Sequence, residues 1–177
     1  MKKAFIVTSA IEVDNQHPLT YSPVRTAFDS KERFRQTVMT VAALDLACGK
    51  SDTTIYILDT SDNWIEYAQT FGYQPNLKFI SVKEFFPDIF ETVRTHPHKS
   101  HCECLLLSRF IKLFRKELSE YDYLFKLTGR YFIDSSFDAS IFNQDNLDKI
   151  FFKHPSRFEW NDSWRYELVD RREIQND

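Results

Sequence analysis

The chain has 177 residues, of which 42% are hydrophobic, and this is the usual size of one α/β domain with a single core. A net charge of −3 gives no general attraction to nucleic acid or to an anionic membrane, so any phosphate binding has to come from a local group of cations. No apolar segment approaches the length of a membrane span or of a signal-peptide core, and the three cysteines have no disulfide spacing. We therefore predict a cytoplasmic protein with a small-molecule partner and no nucleic acid partner.

Four short apolar runs predict strands. Three of them are rich in β-branched and aliphatic residues, and they lie at 4–9, 53–58 and 77–82. The fourth, at 121–133, is rich in aromatic residues and is interrupted by Gly129. After Asp134 the pattern weakens, and 151–177 combines aromatic and charged residues without a clear period. No repeat or linker marks a second domain, so we predict one domain.

Apolar residues at helical spacing predict helices between the strands. The predicted segments are 30–48, 64–71, a stretch that is interrupted at Pro87, and 100–118. Ser30 is the candidate N-cap of the first helix, and Gly49 fits its C-terminal cap. Strands that alternate with helices favour an α/β fold of three layers, in which a mostly parallel, Rossmann-like sheet has helices on both faces. Such sheets bind their ligands at the carboxyl ends of the strands.

Gly129 differs from the other two glycines, which lie where helices should end. A glycine at this point lets a ligand approach the backbone closely, and the flanking Lys126 and Arg130 favour an anionic ligand. The alternative is an exposed turn whose cations are solvated or paired with Asp122 and Asp134.

A polar, acidic turn follows the second predicted strand. Asp59 and Ser61 are expected at the same edge of the sheet as the 126–130 turn, because both segments follow parallel strands. The alternative is a local role, in which Ser61 or Asp62 caps the next helix.

Two elements together resemble the GT-A glycosyltransferases, which transfer sugars from nucleotide-diphosphate donors. Residues 55–62, Ile-Tyr-Ile-Leu-Asp-Thr-Ser-Asp, resemble the strand and acidic turn in which an aspartate, here Asp59, contacts the nucleoside. Residues 119–125 occupy the position of the strand that ends in the Asp-x-Asp metal site of that family. The string Lys-Leu-Thr-Gly-Arg-Tyr at 126–131 resembles an element of a bacterial and viral subset of surface-polysaccharide transferases. The resemblance covers roughly the first 135 residues.

The resemblance implies transfer of a sugar from a nucleotide-sugar donor to a glycan or lipid-linked glycan, by a protein that can associate with the inner face of the membrane. Lys126 and Arg130 stand where the family has two metal-binding carboxylates, so we expect them to stabilise the leaving diphosphate catalytically, without a metal cofactor. The residues that the resemblance assigns to the donor nucleotide are Thr8, Ser9, Asp59, Ser61, Lys99 and Gly129.

Other cations have competing interpretations. Lys99 resembles the basic residue that relatives carry at the start of the long helix, while a solvated surface lysine is an equal alternative. Arg25 and Arg33 could reach a phosphate from the first loop and helix, although single arginines in such places are usually solvated.

The part of the chain from Asp134 onwards holds several candidates for the general base, and the sequence does not rank them. Few residues follow Ile133, so we expect either a truncated chain or a minimal domain, with a donor part at 1–135 and a short C-terminal part at 136–177. The acidic candidates for the base are Asp134, Asp138, Glu159, Asp162 and Glu167. The aromatic residues that could stack on sugars, or pack on the sheet instead, are Phe151, Phe152, Phe158, Trp160, Trp164 and Tyr166.

Two other functional hypotheses accompany the transferase interpretation, and one cluster of potential metal ligands has its own pair of interpretations. A non-catalytic GT-A-like domain that binds nucleotide or glycan would account for the missing Asp-x-Asp pair. A methyltransferase is disfavoured, because the first loop has Thr8, Ser9 and Ala10 in place of a glycine-rich turn. A polar helix start is favoured over a transition-metal site for one cluster of potential ligands, namely His96, His98, His101, Cys102 and Cys104.

Overall fold

Four parallel strands form the central sheet in the computed structural model, which describes residues 1–131, 133, 137–147, 149–153 and 166–170. The strands are β1 (Lys3–Ser9), β2 (Thr53–Asp59), β3 (Leu77–Ser81) and β4 (Tyr123–Thr128). They lie in the order β3-β2-β1-β4, and every neighbouring pair is parallel. β1 is therefore a central strand, and its residue Val7 pairs with Ile57 on one side and with Leu127 on the other.

Helices cover both faces of this sheet, so the protein is a three-layer α/β fold with an all-parallel sheet of the Rossmann-like kind, as the sequence predicts. The helices are α1 (Ser30–Cys48), α2 (Trp64–Phe71), α3 (Val82–Phe85), α4 (Pro87–Thr95), α5 (Lys99–Leu113) and α6 (Arg115–Leu118). The first two pack on one face, and the other four pack on the opposite face. Among the described residues, none of the helices is both long enough and apolar enough to span a bilayer.

The apolar sequence of β1 explains its central position. Phe5 and Val7 are fully buried and pack towards Leu44 of α1. Ile6 points to the other face and belongs to the cluster that contains Phe110 of α5. Burial of side chains of this size stabilises the fold by about 1.5–3 kcal/mol each, so this two-sided burial holds the three layers together.

Two helix boundaries differ from the predicted ones. Asp29, not Ser30, is the N-cap of α1, because its carboxylate accepts a hydrogen bond of 2.8 Å from the backbone N–H of Glu32. The predicted helix at 100–118 is interrupted at Phe114, which separates α5 from α6. Both Phe114 and Leu118 nevertheless contact the same core cluster, so core packing is kept across the break.

The fourth strand is shorter than predicted, because the chain turns directly after it. The backbone N–H groups of Arg130 and Tyr131 donate to the carbonyl of Thr128, over 2.7 and 3.0 Å. Tyr131 and Ile133 are outside any strand, so the described residues do not resume the strand after Gly129. The turn sets Arg130 at the carboxyl end of β4.

An antiparallel pair that we did not predict is formed by β5 (Lys149–Lys153) and β6 (Tyr166–Asp170). Its strands pair Phe151 with Leu168, at positions where we found only an unpatterned mixture of aromatic and charged residues. Before this pair, Phe142 packs its ring edge-on against Phe125 of β4, with ring centroids 4.6 Å apart. Several predicted positions lie outside the described residues, namely Asp134, Phe158, Glu159, Trp160, Asp162 and Trp164.

Candidate functional site

A cavity of about 310 Å³ opens at the carboxyl ends of the central strands. Its walls include Thr8 and Ser9 from the end of β1, and Thr128 and Gly129 from the end of β4. The chain leaves β1 for β2 on one side and returns to β4 on the other, so the two connections diverge at this point of the sheet. The cavity therefore occupies the position at which parallel α/β sheets bind ligands, and its volume is at the lower end of the range for ligand sites.

Five cations line this cavity: Arg25, Arg33, Arg94, Lys99 and Arg130. Burial, followed by repulsion from Arg130, lowers the pKa of Arg33 to about 10. Burial, with repulsion from Arg130, Arg33 and Arg25, also lowers the pKa of Lys99. The positive charges thus lie close enough to destabilise one another, which is the electrostatic condition for binding an anion.

Two of these cations have structural partners. Arg25 is buried, and its guanidinium donates to the carbonyls of His17, Thr95 and His96 over 2.9–3.1 Å. It thereby ties the loop after β1 to the end of α4. Arg94 pairs with the carboxylate of Asp62 at 2.7 Å. The charge of Arg94 is therefore paired, although its Nε is buried without a hydrogen-bond partner among the described residues. Arg25 has no ion pair there, but its guanidinium is committed to protein carbonyls.

Arg33 and Lys99 are anchored by hydrogen bonds to neutral groups and make no ion pair within the described residues, although Asp59 attracts Arg33 and offsets part of the repulsion from Arg130. Arg33 donates through Nε to the carbonyl of Ala10 and through Nη1 to the hydroxyl of Thr26, the latter over 3.1 Å. Lys99 donates through Nζ to the carbonyl of Arg25 over 2.5 Å. These bonds fix the direction of each cation while leaving its positive charge available to an anion.

Arg130 is half-buried in the cavity wall. Within the described part of the chain, its side chain makes no hydrogen bond and no ion pair. The alternative partner Asp122 instead accepts a bond of 2.8 Å from the backbone N–H of Lys2, at the opposite end of the sheet. The other alternative, Asp134, lies outside the described residues. Arg130 is thus a cation of the cavity with donors to offer.

Lys126 does not line the cavity, because its charge is directed to another residue. Its Nζ lies 2.5 Å from Oε1 of Glu103 and donates to the hydroxyl of Thr128 over 3.1 Å. Glu103 does line the cavity, and we did not identify it from the sequence. The sequence feature that could have identified Glu103 is its position four residues after Lys99, which puts both charges on one face of α5.

Asp59 and Ser61 lie beneath the first loop and are not part of the cavity wall. Both are fully buried. Asp59 accepts bonds from the backbone N–H groups of Ile11 and of Ser61, over 3.1 and 2.9 Å. Ser61 accepts from the backbone N–H of Glu12 over 2.9 Å. Burial raises the pKa of Asp59, and the bonds from Ser61, Ser9 and Ile11 offset part of this effect. The two residues therefore hold the loop that borders the cavity.

Gly129 is needed for packing within the protein itself. Its backbone N–H donates to the carbonyl of Thr8 over 2.8 Å. A Cβ at this position would lie 3.2 Å from Oγ1 of Thr37 and 3.3 Å from the carbonyl oxygen of Thr8. We expected the glycine to admit a ligand, but the space beside it is already occupied by β1 and α1. Gly129 also lines the cavity, next to Arg130.

Replacing Gly129 by alanine should destabilise the protein by about 1–2 kcal/mol, because a backbone carbonyl cannot move away cheaply. Chemical denaturation measures the effect. The double variant Gly129→Ala/Thr37→Ala removes one of the two close contacts and should recover part of the loss. A Gly129→Ala protein that is as stable as the wild type but no longer binds ligand would favour the close-approach explanation instead.

The other carboxylates of the cavity wall are engaged. Glu12 accepts four bonds at the start of α2: from the backbone N–H of Asp62, from the backbone N–H and the amide of Asn63, and from the hydroxyl of Tyr67. Asp14 lies 3.5 Å from His17. Asp138, a candidate base, is exposed and accepts from Ser140, and it does not line the cavity.

No set of three metal-ligating side chains is grouped within the described residues. In the histidine cluster that the sequence suggested, the ring of His96 is tilted against those of His98 and His101, with ring centroids 5.5 and 4.6 Å apart. Cys102 is buried beside Thr92. The cluster therefore packs where α4 ends and α5 begins.

The structure brings together five of the eight residues proposed from the sequence, and these line the cavity: Thr8, Ser9, Lys99, Gly129 and Arg130. Three others lie outside its wall: Asp59, Ser61 and Lys126. Thr8 and Ser9 are themselves hydrogen-bonded, Thr8 to Glu103 at 2.7 Å and Ser9 to Thr37 at 3.2 Å.

No protein-family model, no curated protein and no solved structure matches this chain.

Proposed function

We propose that this protein is a glycosyltransferase of surface-polysaccharide synthesis, which binds the diphosphate of a nucleotide-sugar donor through Arg33, Lys99 and Arg130. The observation that supports this function is a cavity at the divergence of β1 and β4 whose cations repel one another, including Arg33, Lys99 and Arg130, which make no ion pair within the described residues. A diphosphate would relieve the repulsion between these cations. The resemblance of 126–131 to surface-polysaccharide transferases points to the same donor class.

Transfer of the sugar breaks its bond to the diphosphate, and negative charge grows on the departing phosphate oxygen. Cations that are fixed in place before the reaction stabilise this charge more in the transition state than in the ground state. Arg33 and Lys99 meet this requirement, because hydrogen bonds to neutral groups already orient them. Arg130 follows a turn that is hydrogen-bonded to the end of β1. The glycan or lipid-linked glycan acceptor supplies the attacking hydroxyl.

The divalent metal that GT-A enzymes commonly use does not fit this cavity. A metal ion needs several free oxygen ligands, whereas Glu12 is saturated by hydrogen bonds and Glu103 is paired with Lys126. Both residues share the wall with Arg33, Lys99 and Arg130, whose positive charges would repel a metal ion. In this proposal the cations, in place of a metal ion, therefore neutralise the charge of the diphosphate.

Lys126 and Asp59 have indirect roles in the proposed site. Lys126 orients Glu103, and Asp59 holds the loop that carries Ala10, whose carbonyl anchors Arg33. We propose this support in place of direct contacts with the diphosphate and the nucleoside.

Calorimetric titration with UDP, GDP, CDP and CMP, each with Mn²⁺ and with a chelator, tests the proposed function. We expect one nucleotide to bind selectively, with an affinity that the chelator does not change. Failure of every nucleotide to bind would contradict the proposal, and binding that requires Mn²⁺ would contradict its metal-independent form.

A non-catalytic binding domain is the second candidate, because the described cavity wall offers no carboxylate free of partners to act as a base. Incubation of the selected nucleotide's sugar conjugates with glycan acceptors separates the two candidates. Nucleotide release that depends on acceptor supports the transferase, and binding without any turnover supports the binding domain.

A further inference from the structure

Glu103 places a negative charge in the wall of a cavity whose charged residues are mostly cations. A carboxylate at this position opposes phosphate binding, so the proposed diphosphate site alone gives no reason for it. Its neighbours on the same face of α5 are Lys99 and Leu106, and Glu103 therefore lies within the part of the helix that faces the cavity.

The carboxylate is held in one position by side chains from two strands, β1 and β4. The hydroxyl of Thr8 on β1 donates to Oε1 over 2.7 Å, and Nζ of Lys126 on β4 lies 2.5 Å from the same oxygen. The hydroxyl of Thr128 adds a further bond. Burial raises the pKa of Glu103, but the bonds from Lys126, Thr8 and Thr128 outweigh burial, so its pKa lies below the usual range. Glu103 is thus a fixed, ionised acceptor.

An ionised carboxylate can only accept hydrogen bonds, and its two oxygens offer about four lone-pair positions. Glu12, in the same wall, uses its positions on four donors of the protein. The contacts of Glu103 with Thr8 and Lys126 are both made by Oε1, so this residue of the cavity wall retains acceptor capacity on Oε2. The donors that suit it are uncharged hydroxyl groups, because these gain a charge-assisted bond without repulsion.

We infer that Glu103 binds hydroxyl groups of the ring attached to the diphosphate, and that Lys126 positions it for this purpose. This inference rests on the proposed function. The hydroxyls can belong to the ribose or to the transferred sugar, since both present neighbouring donors of the same chemistry. Cations on one part of the wall and a carboxylate on another would then select a phosphorylated, hydroxyl-rich ligand over inorganic phosphates.

The test measures calorimetric affinities of Glu103→Gln for pyrophosphate, for the nucleotide that the wild type selects, and for its sugar conjugate. Glutamine keeps the size and an acceptor for Thr8, so the fold should be retained, as a melting curve will show. Affinity for the hydroxyl-bearing ligand should fall about tenfold, as expected for one hydrogen bond to a charged group. Affinity for pyrophosphate should stay equal or rise, because a negative charge has left the wall. The matched control is Glu120→Gln, an exposed change at the opposite end of the sheet.

If Glu103→Gln lowers the affinity for the nucleotide itself, Glu103 binds the ribose. If it lowers only the affinity for the sugar conjugate, Glu103 binds the transferred sugar. Equal loss for pyrophosphate, or no loss for either hydroxyl-bearing ligand, overturns the inference while leaving the proposed function intact. If wild type binds pyrophosphate but no nucleotide, both the proposed function and the inference fail.

Lys126 is tested as a positioning residue by two substitutions. Lys126→Met should lower the affinity for the hydroxyl-bearing ligand. The affinity for pyrophosphate should stay within about twofold of the wild-type value, because Lys126 does not line the cavity. Lys126→Arg should restore the ion pair with Glu103 and most of the affinity. A larger loss for pyrophosphate than for the nucleotide in Lys126→Met would instead mark Lys126 as a direct phosphate ligand.

Discussion

Arg130→Ala should weaken binding of the selected nucleotide by about tenfold or more and slow sugar transfer by about a hundredfold. The larger effect is expected on transfer, because the charge on the departing diphosphate is greatest in the transition state. The free energy of unfolding should stay within about 0.5 kcal/mol of the wild type. Within the described residues this side chain has no hydrogen bond or ion pair to lose. Calorimetry, a coupled assay of nucleotide release and chemical denaturation measure the three quantities.

The matched control for Arg130 is Arg35→Ala. Arg35 is an exposed arginine of α1 whose ion-pair partner is Glu32, at 3.6 Å. Its removal takes the same charge from the protein without touching the cavity. Equal loss of affinity in both variants would mean that general charge, rather than the cavity, attracts the nucleotide. Unchanged transfer in Arg130→Ala would remove this residue from the proposed site.

Asp59→Ala should destabilise the protein by about 3 kcal/mol, which is the second large effect we expect. The substitution leaves the buried backbone N–H groups of Ile11 and Ser61 without their acceptor. Ala10, which precedes Ile11, anchors Arg33 through its carbonyl, so nucleotide affinity should fall as well. Chemical denaturation and calorimetry on the same preparation measure the two losses together.

Asp59→Asn separates the structural role of this residue from direct ligand contact. The two N–H donors bond to different oxygens of Asp59, so an amide can satisfy only one of them. We expect a smaller but measurable loss of stability than in Asp59→Ala. A stable Asp59→Ala protein that has lost nucleotide binding would instead support the contact with the nucleoside that the GT-A resemblance implies.

Much of the fold could be predicted, because the spacing of hydrophobic residues and the glycines that end helices are local properties of the chain. The run at 4–9 had to be a buried strand, and the sequence order of strands and helices led to a parallel sheet with its ligand edge at the carboxyl ends. The break at Phe114 was not predictable from the apolar stripe, because the stripe continues through it and both sides pack on one core. The strands β5 and β6 carry no regular alternation that would distinguish them from a loop.

The site was predictable in position but not in its pairing of charges. Lys126 and Arg130 look alike in the sequence, yet the structure pairs one with Glu103 and leaves the other facing the cavity. Which cation finds a carboxylate depends on the packing of α5 against β4, and no local pattern encodes that packing. Arg33 looked like an ordinary arginine for the same reason, since its neighbours across the cavity come from distant segments.

The first loop is fastened to the end of β2 through Asp59 and Ser61, and to the end of α4 through the guanidinium of Arg25. These bonds close the loop around the cavity before any ligand arrives. The entropy of ordering the loop is therefore already spent during folding, and the donor would meet a cleft of finished shape. Discrimination between donors would then depend on complementarity at the first encounter, and natural variation in this loop would alter donor choice more readily than it would alter the fold.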